Sequence, residues 1–487
     1  MAAIKFLASV LLAFSVGACA TAQDASQAPG QSSAPASSAP PSSSAPSSST
    51  PSTSTPAAGT SSSSSQSSST HRTGHHIRVP DDDSPAQPAE LTEAEEAIEK
   101  QNYAAAEPLL QKLVERDATS YVGWFDLGFV ENALGNVEGS IAAYRKSVAA
   151  KPDVFESNLN LGLQLAKSGQ PGAEDFLRAA THLKPTSHVA EGQYRAWLAL
   201  GHTLEKSGPE EAVAAFQHAA SLQPKEAEPH FAAGMLLERN NKFADAEQEY
   251  KRALALDPGS TDAAIALANL SMRGRRFPEA EDYLCKLLAE HAYPGSESAA
   301  VEIQLGRVLA AEGKNDEAIA AMEAGIKLAQ GDEAARRDLA DVYATAGKND
   351  LAESSYRALV AAHPNEAELR RSLGQALLRQ KKFPEAQKEF LTTVKLKPDF
   401  GEAYGDLAFA AGETQNYALV IRALDVRVKL LPETPITYFL RASACDHLRD
   451  FKTAAVNYHL FLNTAKGKYP DYEWKAEHRL IAIEPKK

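Results

Sequence analysis

From residue 87 to about residue 468 the chain repeats itself with a period of 34 residues, and no other feature narrows its fold as much. A period of about 20 to 50 residues belongs to arrays whose unit is one supersecondary element. The frame is clearest in WFDLGFVENALGNVEGSIAAYRKSVAAKPD, with Trp124, Leu127, Gly128, Gly135, Tyr144 and Pro152. It returns as Gly234, Ala246, Tyr250, Ala253 and Pro258, and again as Leu373, Gly374, Ala386, Phe390 and Pro398. Even a turn recurs: Gly313-Lys314-Asn315-Asp316 stands 34 residues before Gly347-Lys348-Asn349-Asp350.

Eleven units can be framed, opening near Gln87, Tyr121, Phe155, Tyr194, Ala227, Thr261, Ala299, Glu333, Ala367, Gly401 and Pro435. Departures are local: His188–Gln193 is inserted before the fourth unit and Gly295–Ser298 before the seventh. A small residue at the eighth place (Gly128, Gly374, Ala340) and alanine at the twentieth (Ala246, Ala352, Ala386) let helix backbones approach closely. Leucine at the seventh place and an aromatic at the twenty-fourth fill what remains. Prolines such as Pro258, Pro364 and Pro398 stop the second helix, because proline lacks an amide donor and clashes with the preceding turn. Pro278 and Pro384 suit a first helical position. Each hairpin can complete its apolar face only against a neighbour, so the pattern predicts one continuous stacked core.

This pattern resembles the tetratricopeptide repeat, over about 380 of the 487 residues. The resemblance implies an all-α fold, a TPR α-solenoid superhelix of about eleven helix-turn-helix repeats over 87–468, with a capping helix and tail over 469–487. In the cap, Trp474, Leu480 and Ile483 are expected to cover the last unit, with Asp471, Glu473, Lys475, Glu477 and Arg479 on the polar side.

Ahead of the repeats, residues 1–22 read as a signal peptide: Lys5, the apolar stretch Ile4 to Val16, then small residues. Two processing routes stand open. Ala20-Thr21-Ala22 is a cleavage site before Gln23, whereas Val16-Gly17-Ala18-Cys19 resembles a lipobox that would acylate Cys19. Residues 31–70 hold 20 serines and 6 prolines, a composition that cannot bury enough surface to offset folding entropy, so 23–86 reads as a disordered linker. His71, His75, His76 and Asp81 to Asp83 lie in it, where nothing preorganises them for a metal. Cys285 and Cys445, five repeats apart, read as buried small side chains. The net charge of −13 argues against nucleic acid or anionic lipid as a bulk partner. Membrane attachment would come only through Cys19.

No constellation for catalysis is present: no H-E-x-x-H, G-x-S-x-G, C-x-x-C or G-x-G-x-x-G. No cofactor or metal site is implied, and tether, repeats and cap account for nearly the whole chain. Carrying over the family's frame, the first helices line a concave groove. Its N-terminal part is apolar (Val122, Phe125, Phe129, Leu163, Phe231, Met235). The middle is charged (Arg273, Arg307, Arg337, Asp341, Arg371, Arg379), and the C-terminal part is aromatic (Phe409, Phe439). Such a groove suits an extended protein segment with apolar anchors and acidic groups between them; the plainer alternative makes the aromatics core contacts and the arginines solvated. The family's clamp for a peptide carboxylate is disfavoured, since Phe125 and Phe129 stand where its lysine and asparagine would be. The reading is a non-enzymatic interaction scaffold of the bacterial envelope, periplasmic or lipid-anchored. The alternative is an accessory module for a glycan-handling or polysaccharide-export enzyme.

Overall fold

The computed structural model describes residues 88–290 and 295–484, and among them every regular element is an α-helix. Residues 1–22 with Cys19, read above as a signal peptide, and residues 23–86, read as a linker, lie outside the described residues. The described residues fall into two bodies, 88–169 and 170–484.

The first body holds α1 (Ala89–Glu99), α2 (Tyr103–Arg116), α3 (Tyr121–Ala133), α4 (Val137–Ala150) and α5 (Phe155–Ser168). Helix α1 pairs with α2 and α3 with α4; α2 then packs on α3, and α4 on α5. In the second body α6 (Ala173–His182) packs on α7 (Val189–Leu204), which pairs with α8 (Pro209–Leu222). The same hairpin recurs as α9 (Glu228–Arg239) with α10 (Phe243–Leu256), and α11 (Thr261–Arg273) with α12 (Phe277–Glu290). It continues as α13 (Ser296–Glu312) with α14 (Asn315–Leu328), and α15 (Glu333–Thr345) with α16 (Asn349–Ala362). Then come α17 (Ala367–Arg379) with α18 (Phe383–Leu396), α19 (Gly401–Glu413) with α20 (Tyr417–Leu430), and α21 (Pro435–His447) with α22 (Phe451–Ala465). A last helix, α23 (Pro470–Ile483), packs on α22.

The helices start where the repeat says they should. Helices α3, α5, α11, α15, α17, α19 and α21 begin at the residue that opens the unit. Polar caps hold several of these starts: Ser120 accepts from the Gly123 amide at 3.2 Å, Ser260 from Ala263 at 3.2 Å, and Asp332 from Ala335 at 2.9 Å. The two insertions are absorbed as helix. Helix α7 runs for 16 residues from Val189 and α13 for 17 from Ser296, so the extra residues lengthen the front of each helix.

Close packing explains the small-residue places. A Cβ on Gly374 would come within 2.6 Å of the Phe390 ring, and one on Gly234 within 2.6 Å of Tyr250. The aromatic of the second helix lies flat on the glycine of the first. Between hairpins the core is shared, with one apolar cluster running from Ala264 of α11 through Leu305, Tyr356 and Phe390 to Ala444 of α21. Cys445 is buried and Cys285 half-buried, in keeping with small packing side chains. The turn inside most hairpins takes a left-handed residue at the fifteenth place, the α7–α8 turn, with Gly208 at φ −148°, being an exception. Glycine supplies it at Gly135, Gly313 and Gly347, but Asn241, Arg275, Lys381, Gln415 and Arg449 adopt it too, with φ between 55° and 64°.

Candidate interaction surface

The groove residues separate into three groups once they are placed. On α3, Val122 and Phe125 are only 1% and 2% exposed, and Phe125 packs on the Tyr144 ring at 5.7 Å. The expectation of open apolar anchors there is not met, because the aromatic of the same hairpin lies against Phe125. Phe129 and Leu163 are half-buried, Phe129 edge-on to Tyr103 at 6.1 Å. Phe439 is likewise a packing residue: its ring meets Tyr458 at 5.9 Å, Phe461 at 5.2 Å and Tyr472 of α23 at 4.7 Å. Partly open apolar positions remain in the second body. Met235 is 44% exposed beside Phe231, which leans on Tyr250 at 5.6 Å, and Phe409 is half-buried on α19.

The arginines form a ladder instead of a free stripe. Arg307 of α13 donates through Nε to Asp338 of α15 at 2.7 Å. Arg337 of α15 pairs with Glu366, the residue before α17, with one bond at 3.0 Å, and with its own helix's Glu333 at 3.4 Å. Arg371 of α17 donates through Nε to Asp406 of α19 at 2.6 Å and lies over the Phe400 ring at 5.1 Å. Each rung joins one first helix to the next, across the spacing of about 8–10 Å at which packed helices lie. Arg273 covers Phe243 at 4.2 Å, and Arg379 donates to the Ala344 carbonyl at 3.1 Å. Asp341 accepts from the hydroxyl of Tyr356, whose burial pushes the phenol well above its usual range.

A second ladder has no counterpart in the sequence reading. At the sixteenth place, immediately ahead of the second helix, a base reaches back to an acid of the preceding unit. Lys242 meets Glu210 at 3.4 Å, Arg276 meets Glu247 at 2.7 Å and Lys314 meets Glu281 at 2.8 Å. Lys348 meets Asp316 at 2.8 Å, and Lys382 meets Glu353 at 2.7 Å. The guanidinium of Arg276, with Lys251, holds the Glu247 carboxyl down at about 2. The sequence did carry a signal for this ladder: Lys314, Lys348 and Lys382 are 34 residues apart. A basic residue just before a helix opposes the helix dipole, and that oddity asks for a partner.

Among the described residues no group of three or more His, Cys, Asp or Glu side chains could hold a metal ion. Among them, too, no helix is long and apolar enough to cross a membrane.

The family model described as "Tetratricopeptide repeat" matches residues 91–154, 204–261, 231–297, 265–335, 303–367 and 337–399, together more than half of the chain. The chain belongs to the tetratricopeptide repeat family. Its fold is accordingly an all-α solenoid of helix-turn-helix repeats, and such arrays serve as surfaces for other proteins. No curated protein matches the chain. Among solved structures, MamA is 25% identical over 34% of this chain and 94% of its own, with a TM-score of 0.31. A tetratricopeptide protein of Parabacteroides merdae is 19% identical over 53% of this chain and 98% of its own, with a TM-score of 0.38. The pilF protein of Pseudomonas aeruginosa is 20% identical over 46% and 98%, with a TM-score of 0.35.

Proposed function

We propose that this tetratricopeptide array is a non-enzymatic scaffold that holds an extended segment of another protein along the first helices of its second body. The observation that carries the reading is the ladder of Arg307, Arg337 and Arg371. Arg307 and Arg371 spend Nε on a neighbour's carboxylate. A guanidinium carries five N–H donors, so outer donors remain for a second acceptor. The Arg307–Asp338 rung is open, with side-chain exposures of 37% and 38%, whereas the Arg371–Asp406 rung is half-buried at 26% and 24%. Exposed pairs are worth about 0–1 kcal/mol, so a partner's carboxylate can join or replace them at little cost. The guanidinium is already held in place, which lowers the ordering entropy of binding. Met235 and Phe409, on either side of the ladder in sequence, supply apolar contacts for the same segment.

The leader-like residues 1–22 and the serine-rich stretch after them support placing this scaffold in the bacterial envelope, on a tether from residue 23 to 86. Mass spectrometry of the mature N-terminus tests that placement. A start at Gln23 or an acylated Cys19 supports it, and an intact Met1 removes it.

Binding is tested by cross-linking the full chain to its partner in cells and comparing two variants. Arg371→Asp alone is expected to lose the partner. Arg371→Asp with Asp406→Arg restores the internal rung with its polarity inverted, and is expected to remain unable to bind. If the double variant holds the same partner as the parent, the ladder is only structural and the proposal fails.

A further inference from the structure

Polar links between the first helices of the second body recur at one height. Asn269, at the ninth place of its unit, accepts from the amide of Gln304, at the sixth place of the next, at 2.7 Å. Arg307, again at a ninth place, donates to Asp338 at a sixth, at 2.7 Å. Gln375 at a ninth place donates to Asp406 at a sixth, at 3.1 Å. Asp406 also receives Nε of Arg371 at 2.6 Å. Asp338 and Asp406 hold equivalent places two units apart, so the guanidinium groups they bind stand in register along the wall. Arg337, at the same fifth place as Arg371, belongs to the unit between them.

The first helices touch directly from α11 to α13, α13 to α15 and α17 to α19. One unit therefore advances the wall by the spacing of packed helices, about 8–10 Å. A segment that follows the ladder must offer one acceptor per step, always on the same side. A β-strand alternates its faces at about 3.3 Å per residue, so its like-facing side chains fall about 7 or about 13 Å apart. Neither step fits. A polyproline II helix returns to one face at every third residue, after an advance of about 9 Å. Its backbone makes no internal hydrogen bonds and stays solvated, which an open wall permits.

We propose, resting on the scaffold reading above, that the held segment is a polyproline II helix with a carboxylate at every third residue, one each for Arg307, Arg337 and Arg371. Arg307 spends Nε on Asp338 and Nη1 on Gln304, and Arg371 spends Nε on Asp406. Both keep terminal donors for such a carboxylate. Arg337 gives its terminal nitrogens to Glu366 and Glu333 and keeps Nε. Proline at the places between the acids stiffens the segment in advance, which lowers the entropy lost on binding.

Fluorescence anisotropy of the full chain with labelled synthetic peptides tests this. One peptide repeats Glu-Pro-Pro. A second, equal in length and composition, repeats Glu-Glu-Pro-Pro-Pro-Pro, so charge and backbone match and only the spacing differs. The first is expected to bind about tenfold more tightly, the scale of one hydrogen bond to a charged group. Arg307→Gln and Arg371→Gln keep a donor for Asp338 and Asp406, and each should narrow that difference. Equal affinity for the two peptides, or binding of neither, overturns the proposal, as does a preference that survives both variants. An alanine-based helix with Glu at every seventh residue also returns to one face, after about 10.5 Å; if it binds as tightly as Glu-Pro-Pro, the polyproline conformation is overturned. Cross-linking with Arg371→Asp reports on the scaffold reading separately. A partner lost there, with no preference between the two proline peptides, leaves the scaffold standing and removes the three-residue register.

Discussion

Lys381 sits in the left-handed region at φ 62° because the turn of its hairpin leaves it no other backbone. An L-residue there costs roughly 1–2 kcal/mol, and glycine gives back about 0.5–1 kcal/mol of that through its looser unfolded state. Lys381→Gly should therefore raise stability by about 0.5–1 kcal/mol in urea unfolding. Lys381→Val should lower it, since a branched Cβ fits that region worst. The reverse holds at Gly374, where the Phe390 ring occupies the space a methyl would need. Overpacking of this kind costs about 1–3 kcal/mol, so Gly374→Ala is expected to destabilise by that much in the same measurement.

Titration adds a pH signature at His202. Its Nε2 lies 3.7 Å from Glu228 and its Nδ1 2.9 Å from Glu205. Those acids raise its pKa, Glu228 most. Because the folded value lies above the unfolded one, the stabilisation is complete below about 6.5, the free histidine value. It is lost as pH rises through the folded pKa. His202→Gln should flatten the fall in thermal midpoint across that window, and an unchanged slope would show that the pair contributes nothing.

Helix starts show how two unlike residues solve one problem. Asn136 and Asn416 precede α4 and α20 and cap them, accepting from Gly139 at 3.1 Å and Leu419 at 3.3 Å. Lys314 and Lys348 hold the equivalent place before α14 and α16 with similar backbone angles and no side-chain cap, and pair with an acid of the preceding unit instead. The exchange is not equal at the two sites. Asp316, the partner of Lys348, is 87% exposed, so that pair contributes little and Lys348→Asn should gain about 1 kcal/mol from the cap. Glu281, the partner of Lys314, is only 11% exposed. Lys314→Asn would leave that carboxylate poorly compensated and should cost about 1–3 kcal/mol. Equal effects at the two sites in urea unfolding would refute this assignment.

For the molecule as a stack, stability is a sum of hairpins and their contacts with neighbours, so damage should stay local. Arg479 of α23 holds Asp446, whose side chain is 5% exposed and also receives the Tyr458 hydroxyl at 3.5 Å. Arg479→Met strands that acid. Hydrogen exchange is expected to accelerate in α21 to α23 and stay unchanged in α11 to α14. Uniform acceleration would mean that the second body unfolds as one unit.

The repeat made the fold legible. Gly374, Ala386, Phe390 and Pro398 each say something local about backbone approach, core filling or helix ending, and such requirements act within one hairpin or between adjacent ones. That is why the helix starts coincide with the opening residues of the units. Side-chain destinations across units were not legible. The sequence placed Arg307, Arg337 and Arg371 on one surface, but only packed helices could bring Asp338, Glu366 and Asp406 within hydrogen-bond reach of them. Likewise the sequence set an amphipathic helix at the end, and tertiary packing chose Ala476 and Leu480 over Trp474 to face inward. A period fixes which residues recur. Which atoms meet depends on the rotation of one helix against the next, and that angle is written in no single unit.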